Sequence, residues 1–175
     1  MINMHRFDVV IIGAGPYGLA AAAHLRAAGV VARVFGEVMG FWERQMPIGT
    51  VLRSEWDGSH FADPAGFFTL DAYEQATGVR LPERIPITDY VGYGKWFQRS
   101  AVPDVDTRLV QSVEPANGGF RLRVEDGEEI GARRVVVAVR LVLRGRIDAA
   151  CGRPATGAGP PVRRGTCPEE QLSCK

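Results

Sequence analysis

The run Phe7-Asp8-Val9-Val10-Ile11-Ile12 leads directly into Gly13-Ala14-Gly15-Pro16-Tyr17-Gly18, and no other junction in the chain restricts its fold as much. The first segment is almost wholly apolar and mostly β-branched, as expected of a strand buried on both faces of a parallel sheet. The glycines end it. The residues that follow, LAAAAHLRAAG, are rich in helix formers and stop at Gly29. A second β-branched run, Val30 to Phe35, then completes a βαβ unit with an expected right-handed crossover. The order strand, glycine turn, helix, strand sets the fold class as α/β with a parallel sheet.

Three glycines at this spacing are a weak signal alone, but their context gives each a separate task. Gly13 permits a tight turn out of the strand, Gly15 lets the backbone approach a pyrophosphate, and Gly18 lets the helix pack close to the sheet. The pyrophosphate would meet the helix N-terminus, where free N–H groups and the positive end of the dipole favour an anion. Pro16 in the first helical turn gives up only a donor that has no partner within the helix. A dinucleotide fold also wants an acid at the end of the second strand for a ribose diol. That slot falls on Gly36, and the carboxylate comes one residue later, at Glu37. A one-residue bulge would realign it, and a solvated loop glutamate is the alternative.

Beyond the βαβ unit, Met39 to Arg53 reads as an ordered loop over a site. Thr69 to Thr77 reads as a short helix with Thr69 or Asp71 near its cap and Gly78 as its stop. In Thr88 to Ser100, Tyr90, Tyr93, Trp96 and Phe97 fall on one apolar helical face. From Thr107 the period changes to that of strands, in TRLVQSVE, GGFRLRVED and GEEIGARR. The breaks at Asn117-Gly118-Gly119 and Asp126-Gly127 are hairpin signals. Val135 to Val139 reads as a further apolar strand, returning to the buried parallel sheet.

The segments DVVIIGAGPYGLAAAAHLRAAG, RVFGE and MGFWERQMP resemble the N-terminal FAD-binding half of flavin-dependent monooxygenases, close to the N-hydroxylating and Baeyer–Villiger groups. The resemblance continues to Val139 through a strand-and-meander segment. There the family's second short motif, Ala-Thr-Gly or Ala-Ala-Gly, is replaced by Ala138-Val139-Arg140. It implies a Rossmann-like FAD/NAD(P)-binding domain over residues 1–139, with a parallel sheet and a β-meander, incomplete at its C-terminus. It also implies a cofactor-binding set of Gly13, Gly15, Pro16, Tyr17, Gly18, Glu37, Trp42, Met46 and Arg53. In that set the glycines hold the FAD pyrophosphate and Glu37 the adenosine ribose. Trp42 stands beside the flavin, and Met46 and Arg53 lie near the isoalloxazine edge. In the family NADPH reduces the flavin and oxygen adds to it, while the protein positions partners and excludes water.

At 175 residues the chain has one domain's length, whereas separate flavin and nicotinamide folds need about 150 residues each. NADPH is therefore expected only for a complete family member. All fifteen aromatic residues lie between Phe7 and Phe120, and all three cysteines (Cys151, Cys167, Cys174) lie in the last 25 residues. Residues 140–175 read as a low-order, basic, Gly/Pro-rich tail, as though out of frame. Within it, Gly157-Ala158-Gly159-Pro160 imitates the first motif without a preceding strand. A net charge of +1 provides no field for nucleic acid, and the apolar stretch Val9 to Ala23 is shorter than the roughly 20 residues of a bilayer span. The chain reads as cytoplasmic. No metal site is expected, and no catalytic residue is assigned. Asp57, Ser59 and His60 lie too close in sequence to make a triad, His24 belongs on a helix surface, and His5 is terminal. A stand-alone NAD(P)-binding protein and a catalytically silent fragment remain as alternatives.

Overall fold

The computed structural model describes residues 6–139. The expectations placed on residues 140–175, and on His5, lie outside the described residues. The chain begins with β1 (Arg6–Ile12), α1 (Pro16–Ala27) and β2 (Ala32–Phe35). It continues through α2 (Gly40–Arg44), α3 (Leu70–Thr77) and α4 (Ile87–Ala101), and ends in β3 (Val110–Ala116), β4 (Gly119–Val124) and β5 (Glu129–Val137).

The five strands form one mixed sheet in the order β2-β1-β5-β4-β3. β1 lies between β2 and β5 and is parallel to both, with Ile12 beside Phe35 on one side and Val137 on the other. The carboxyl ends of three parallel strands therefore meet at the glycine turn, where ligands bind in open α/β sheets. β1 is buried on both faces, as its composition indicates. Val9 and Ile11 join a core with Leu19, Val34, Tyr93 and Phe97, whereas Val10 joins a second core with Phe35, Leu122, Val124 and Ile130. The alternation is the two-residue period of a strand.

Two of the three middle segments follow their sequence signals. Thr69 caps α3, its Oγ1 accepting from the Ala72 N–H at 3.2 Å, and Gly78 ends it. α4 buries Tyr90, Tyr93 and Phe97, with Trp96 packed against the same core. The third differs. Met39 to Arg53 is not loop throughout, because Gly40–Arg44 forms a helical turn and a half. Its start depends on Met39, which is fully buried in the left-handed region at φ 58°. Such a conformation costs about 1–3 kcal/mol for a side-chain-bearing residue. It is stabilised by the Met39 N–H donating to the Ala14 carbonyl at 3.0 Å and by close packing of the thioether on Gly94.

Both hairpin signals hold, with β3 paired antiparallel to β4 and β4 to β5. Pro115 lies on β3 at the sheet margin, where a missing donor is tolerated. GEEIGARR and VVVAV, read as separate strands, merge into β5. Its first residues pair antiparallel with β4 while Gly131 to Val137 pair parallel with β1. Nor is its end buried: Val136 and Val137 are 37% and 60% exposed. The β4 pairing stops at Ala132, so beyond it β5 has a neighbour on one side only among the described residues.

One further segment joins the sheet. Asp106 makes a parallel bridge to Phe35, giving its N–H to the Val34 carbonyl at 2.9 Å and receiving that of Gly36 at 2.8 Å. Its buried carboxylate accepts from Arg33 at 3.0 Å and from Arg108 at 2.7 and 2.9 Å, and Arg108 reaches on to Asp126 and Glu128. The Arg108 hydrogen bonds, aided by Arg33, hold the Asp106 carboxyl well below the usual carboxylate range. Among the described residues, no helix is long and apolar enough to cross a membrane.

Candidate functional site

The glycine turn is built by backbone contact. The Gly13 N–H donates to the Phe35 carbonyl at 2.7 Å, and the Ala138 N–H extends the β5 ladder to the Ile12 carbonyl at 2.8 Å. Gly13 sits at φ 112°, and a Cβ there would lie 2.5 Å from the Ala138 oxygen. A Cβ on Gly18 would fall 1.8 Å from the Gly13 oxygen, so helix and turn are in direct backbone contact. Gly15 differs from both. The nearest atom to a Cβ there is Trp42 Nε1, 4.0 Å away. The middle glycine alone opens onto space, at the N-cap of a 12-residue helix with Pro16 as its first residue. Ala138 is thereby seated against the glycine turn.

The acidic slot has a physical explanation. Gly36 has φ 121°, a conformation that side-chain-bearing residues rarely adopt, so a glutamate there would be strained. The carboxylate is carried by exposed Glu37, folded back over Gly40 in an ion pair with Arg44. The glutamate therefore stands at the end of β2, engaged by a cation of α2. The sequence shows both residues, but their pairing requires the short helix.

The other candidates divide into two groups. Trp42 stands over Gly15 and packs edge-on against Tyr90 at 5.4 Å. Met46 lies with Trp42 along a cavity of about 410 Å³, also lined by Pro47, Val51, Ile87 and Val91. Tyr17 is 82% exposed on the first turn of α1. Arg53 is exposed and has no hydrogen-bond or ion-pair partner among the described residues. Met39 was missed by sequence reasoning, although it ties the turn to α2. Its only signal was its position ahead of Gly40.

Behind Trp42 lies an aromatic wedge in which Phe61 contacts Tyr90, Tyr93 and Phe97 at 5.4, 4.9 and 5.1 Å. The Tyr93 hydroxyl accepts from the Phe61 N–H at 2.9 Å and donates to the Phe68 carbonyl at 2.6 Å, and burial pushes its phenol up to about 12. No triad forms at Asp57, Ser59 and His60. Ser59 Oγ donates to the Glu55 carbonyl and pairs with Ser54, and the buried His60 Nε2 has no hydrogen-bond partner among the described residues. His24 is exposed on α1, bonded to the Ala20 carbonyl. Among the described residues, no group of three or more His, Cys, Asp or Glu is placed to hold a metal.

No family model matches the sequence, and no curated protein matches it at a significant level. Solved structures do match in fold. A flavin-containing monooxygenase from Stenotrophomonas maltophilia superposes with a TM-score of 0.63 at 22% identity over 77% of this chain and 38% of its own. The bacillithiol disulfide reductase Bdr of Staphylococcus aureus gives 0.63 at 18% identity over 77% and 38%. The ornithine N-hydroxylase of Kutzneria sp. 744, whose structure carries FAD and NADP+, gives 0.64 at 17% identity over 75% and 37%. The chain spans less than two-fifths of the length of each, and over that part it shares their Rossmann-like fold.

Proposed function

We propose that the turn Gly13–Gly18 binds the pyrophosphate of FAD and that the chain is the FAD-binding part of an oxidoreductase of the flavoprotein monooxygenase kind. The observation that carries this reading is the contrast among the glycines. Gly13 and Gly18 have no room for a methyl group, whereas Gly15 faces open space at a helix N-terminus. Packing explains the outer two, and ligand approach explains the third. FAD, when bound, would supply the redox chemistry. The chain's own part is to hold it: N–H groups of the first α1 turn on the phosphates, Trp42 as a wall, and Glu37 at the end of β2 for the ribose once released from Arg44. Met46 and Arg53 are assigned to the flavin side. NADPH belongs to the longer enzymes that share the fold. The cytoplasm is the compartment assigned, and with a net charge of +1 nucleic acid is not a partner.

Freshly purified protein, extracted with acid and chromatographed, should release FAD. Recovery of a nicotinamide dinucleotide without flavin would overturn the assignment in favour of a stand-alone NAD(P)-binding protein. Gly15→Val should abolish FAD binding while leaving the circular dichroism spectrum unchanged. Equal FAD affinity in variant and parent would show that this is not the binding turn.

A further inference from the structure

A second concavity lies at the far end of α1 from the glycine turn. It is a groove of about 380 Å³ between the last turn of α1, the loop 63–68 and the last turn of α4. Its α1 residues, Ala23 to Ala27, stand roughly 12–18 Å along the helix from Gly15, clear of the cofactor turn. We propose that this groove binds a small organic cation, a protonated amine carried on an apolar body. Nothing in this site rests on the cofactor assigned to the glycine turn.

Shape and charge together select the guest. Ala23, Ala27, Pro64, Phe67, Phe68 and Ala101 give the groove apolar walls, with Asp63 among them. Phe67 is 70% exposed, yet its backbone is fixed. The Asp63 carboxylate accepts from the N–H groups of Ala65, Phe67 and Phe68 at 3.2, 3.1 and 3.2 Å, and the Asp63 carbonyl accepts from that of Gly66 at 3.2 Å. The loop therefore holds an aromatic ring in water at the rim of an apolar groove, with a face open to a cation. The local field favours a cation as well. Asp63 has no cationic partner among the described residues, and its three N–H bonds leave its oxygens room for one more donor. α1, of 12 residues, and α4, of 15, both bring the negative ends of their dipoles to the groove. The cation of the lining, Arg26, is engaged by Asp104, and His24 and Arg99, basic residues of the same two turns, lie outside the lining. An anion would meet a carboxylate and two helix C-termini; an uncharged guest would leave them unused.

The test uses the full 175-residue chain with isotope-labelled amides, titrated with benzylammonium, toluene and benzoate. Benzylammonium should shift the amide signals of Ala65, Phe67 and Phe68, whose N–H groups rest on Asp63. It should bind at least about fivefold more tightly than toluene, with benzoate weakest, and added salt should narrow the gap. Phe67→Ala, at an exposed position, should weaken benzylammonium at least about threefold. Asp63→Asn, close to the parent in shape, should remove most of the preference for benzylammonium over toluene. If the Asp63 variant loosens the loop, Phe67→Ala still decides, since it leaves every hydrogen bond to Asp63 in place. Benzylammonium bound no more tightly than toluene or benzoate, an affinity unchanged in Phe67→Ala, or shifts centred on the glycine turn instead of residues 65–68 would each overturn the proposal.

Discussion

At the end of β1, contact is made backbone to backbone: Gly18 lies on the Gly13 carbonyl and Gly13 on that of Ala138. On α4, contact is made ring to ring, through Tyr90, Tyr93, Trp96 and Phe97 against Phe61, Phe68 and Tyr73. The first region is close-packed because atoms are missing, and it cannot yield, since peptide groups on three strands fix its walls. The second is close-packed because large side chains interdigitate, and rings can shift by fractions of an ångström. Equal density therefore does not imply equal tolerance.

Gly18→Ala should break this contrast most visibly. Its Cβ must displace a backbone oxygen 1.8 Å away, and we expect a loss of at least about 3 kcal/mol in urea unfolding. A loss under about 1 kcal/mol would mean that the turn can relax like a side-chain core. Tyr93→Phe should cost less, about 1–3 kcal/mol, because it leaves the Phe61 N–H and Phe68 carbonyl without their shared partner. Tyr93 also sets an alkaline limit. Its phenol is raised in the folded state, so its contribution is complete below the unfolded value near 10 and is lost as pH rises towards about 12. Absorbance titration at 295 nm should show at least one tyrosine ionising only in that upper window.

Asp106 gives the acid counterpart. Its folded value is depressed, so its contribution is present above the unfolded value near 4 and is lost as pH falls below it. Asp106→Asn should lower stability at pH 7 by about 2 kcal/mol and flatten its decline below pH 4. An unchanged acid profile would remove Asp106 from the ties between β2 and the meander. Arg44→Ala should have the smallest effect on stability, because its pair with Glu37 is exposed and screened by solvent. FAD affinity should hold or rise in that variant, and a marked loss would place Arg44 itself on the cofactor.

Legibility in the sequence followed the range of the interactions involved. β1, the glycine turn, α1, α3 with its Thr69 cap, α4 and both hairpins were readable because each depends on residues a few positions apart. α2 was not. Five residues cannot sustain a helix alone, and this one starts from Met39, whose strained backbone is stabilised by Ala14 and Gly94 from distant parts of the chain. The merging of two apolar runs into β5 was equally hidden. Periodicity cannot show that one strand will pair with β4 and then with β1.

At the candidate site, the sequence by itself determined the three glycines, the helix they open and the displacement of the acid from position 36 to Glu37. Absent side chains and backbone conformation are properties of the residues themselves. Only the tertiary structure decided that Gly15 faces open space, that Trp42 stands over it, and that Arg44 holds Glu37. It also decided that Asp106 joins the sheet beside Phe35 and that Val136 and Val137 remain exposed. Those outcomes depend on which segments pack or pair across the fold, and such contacts are set by the summed packing of the whole sheet and its helices, not by any local run of residues.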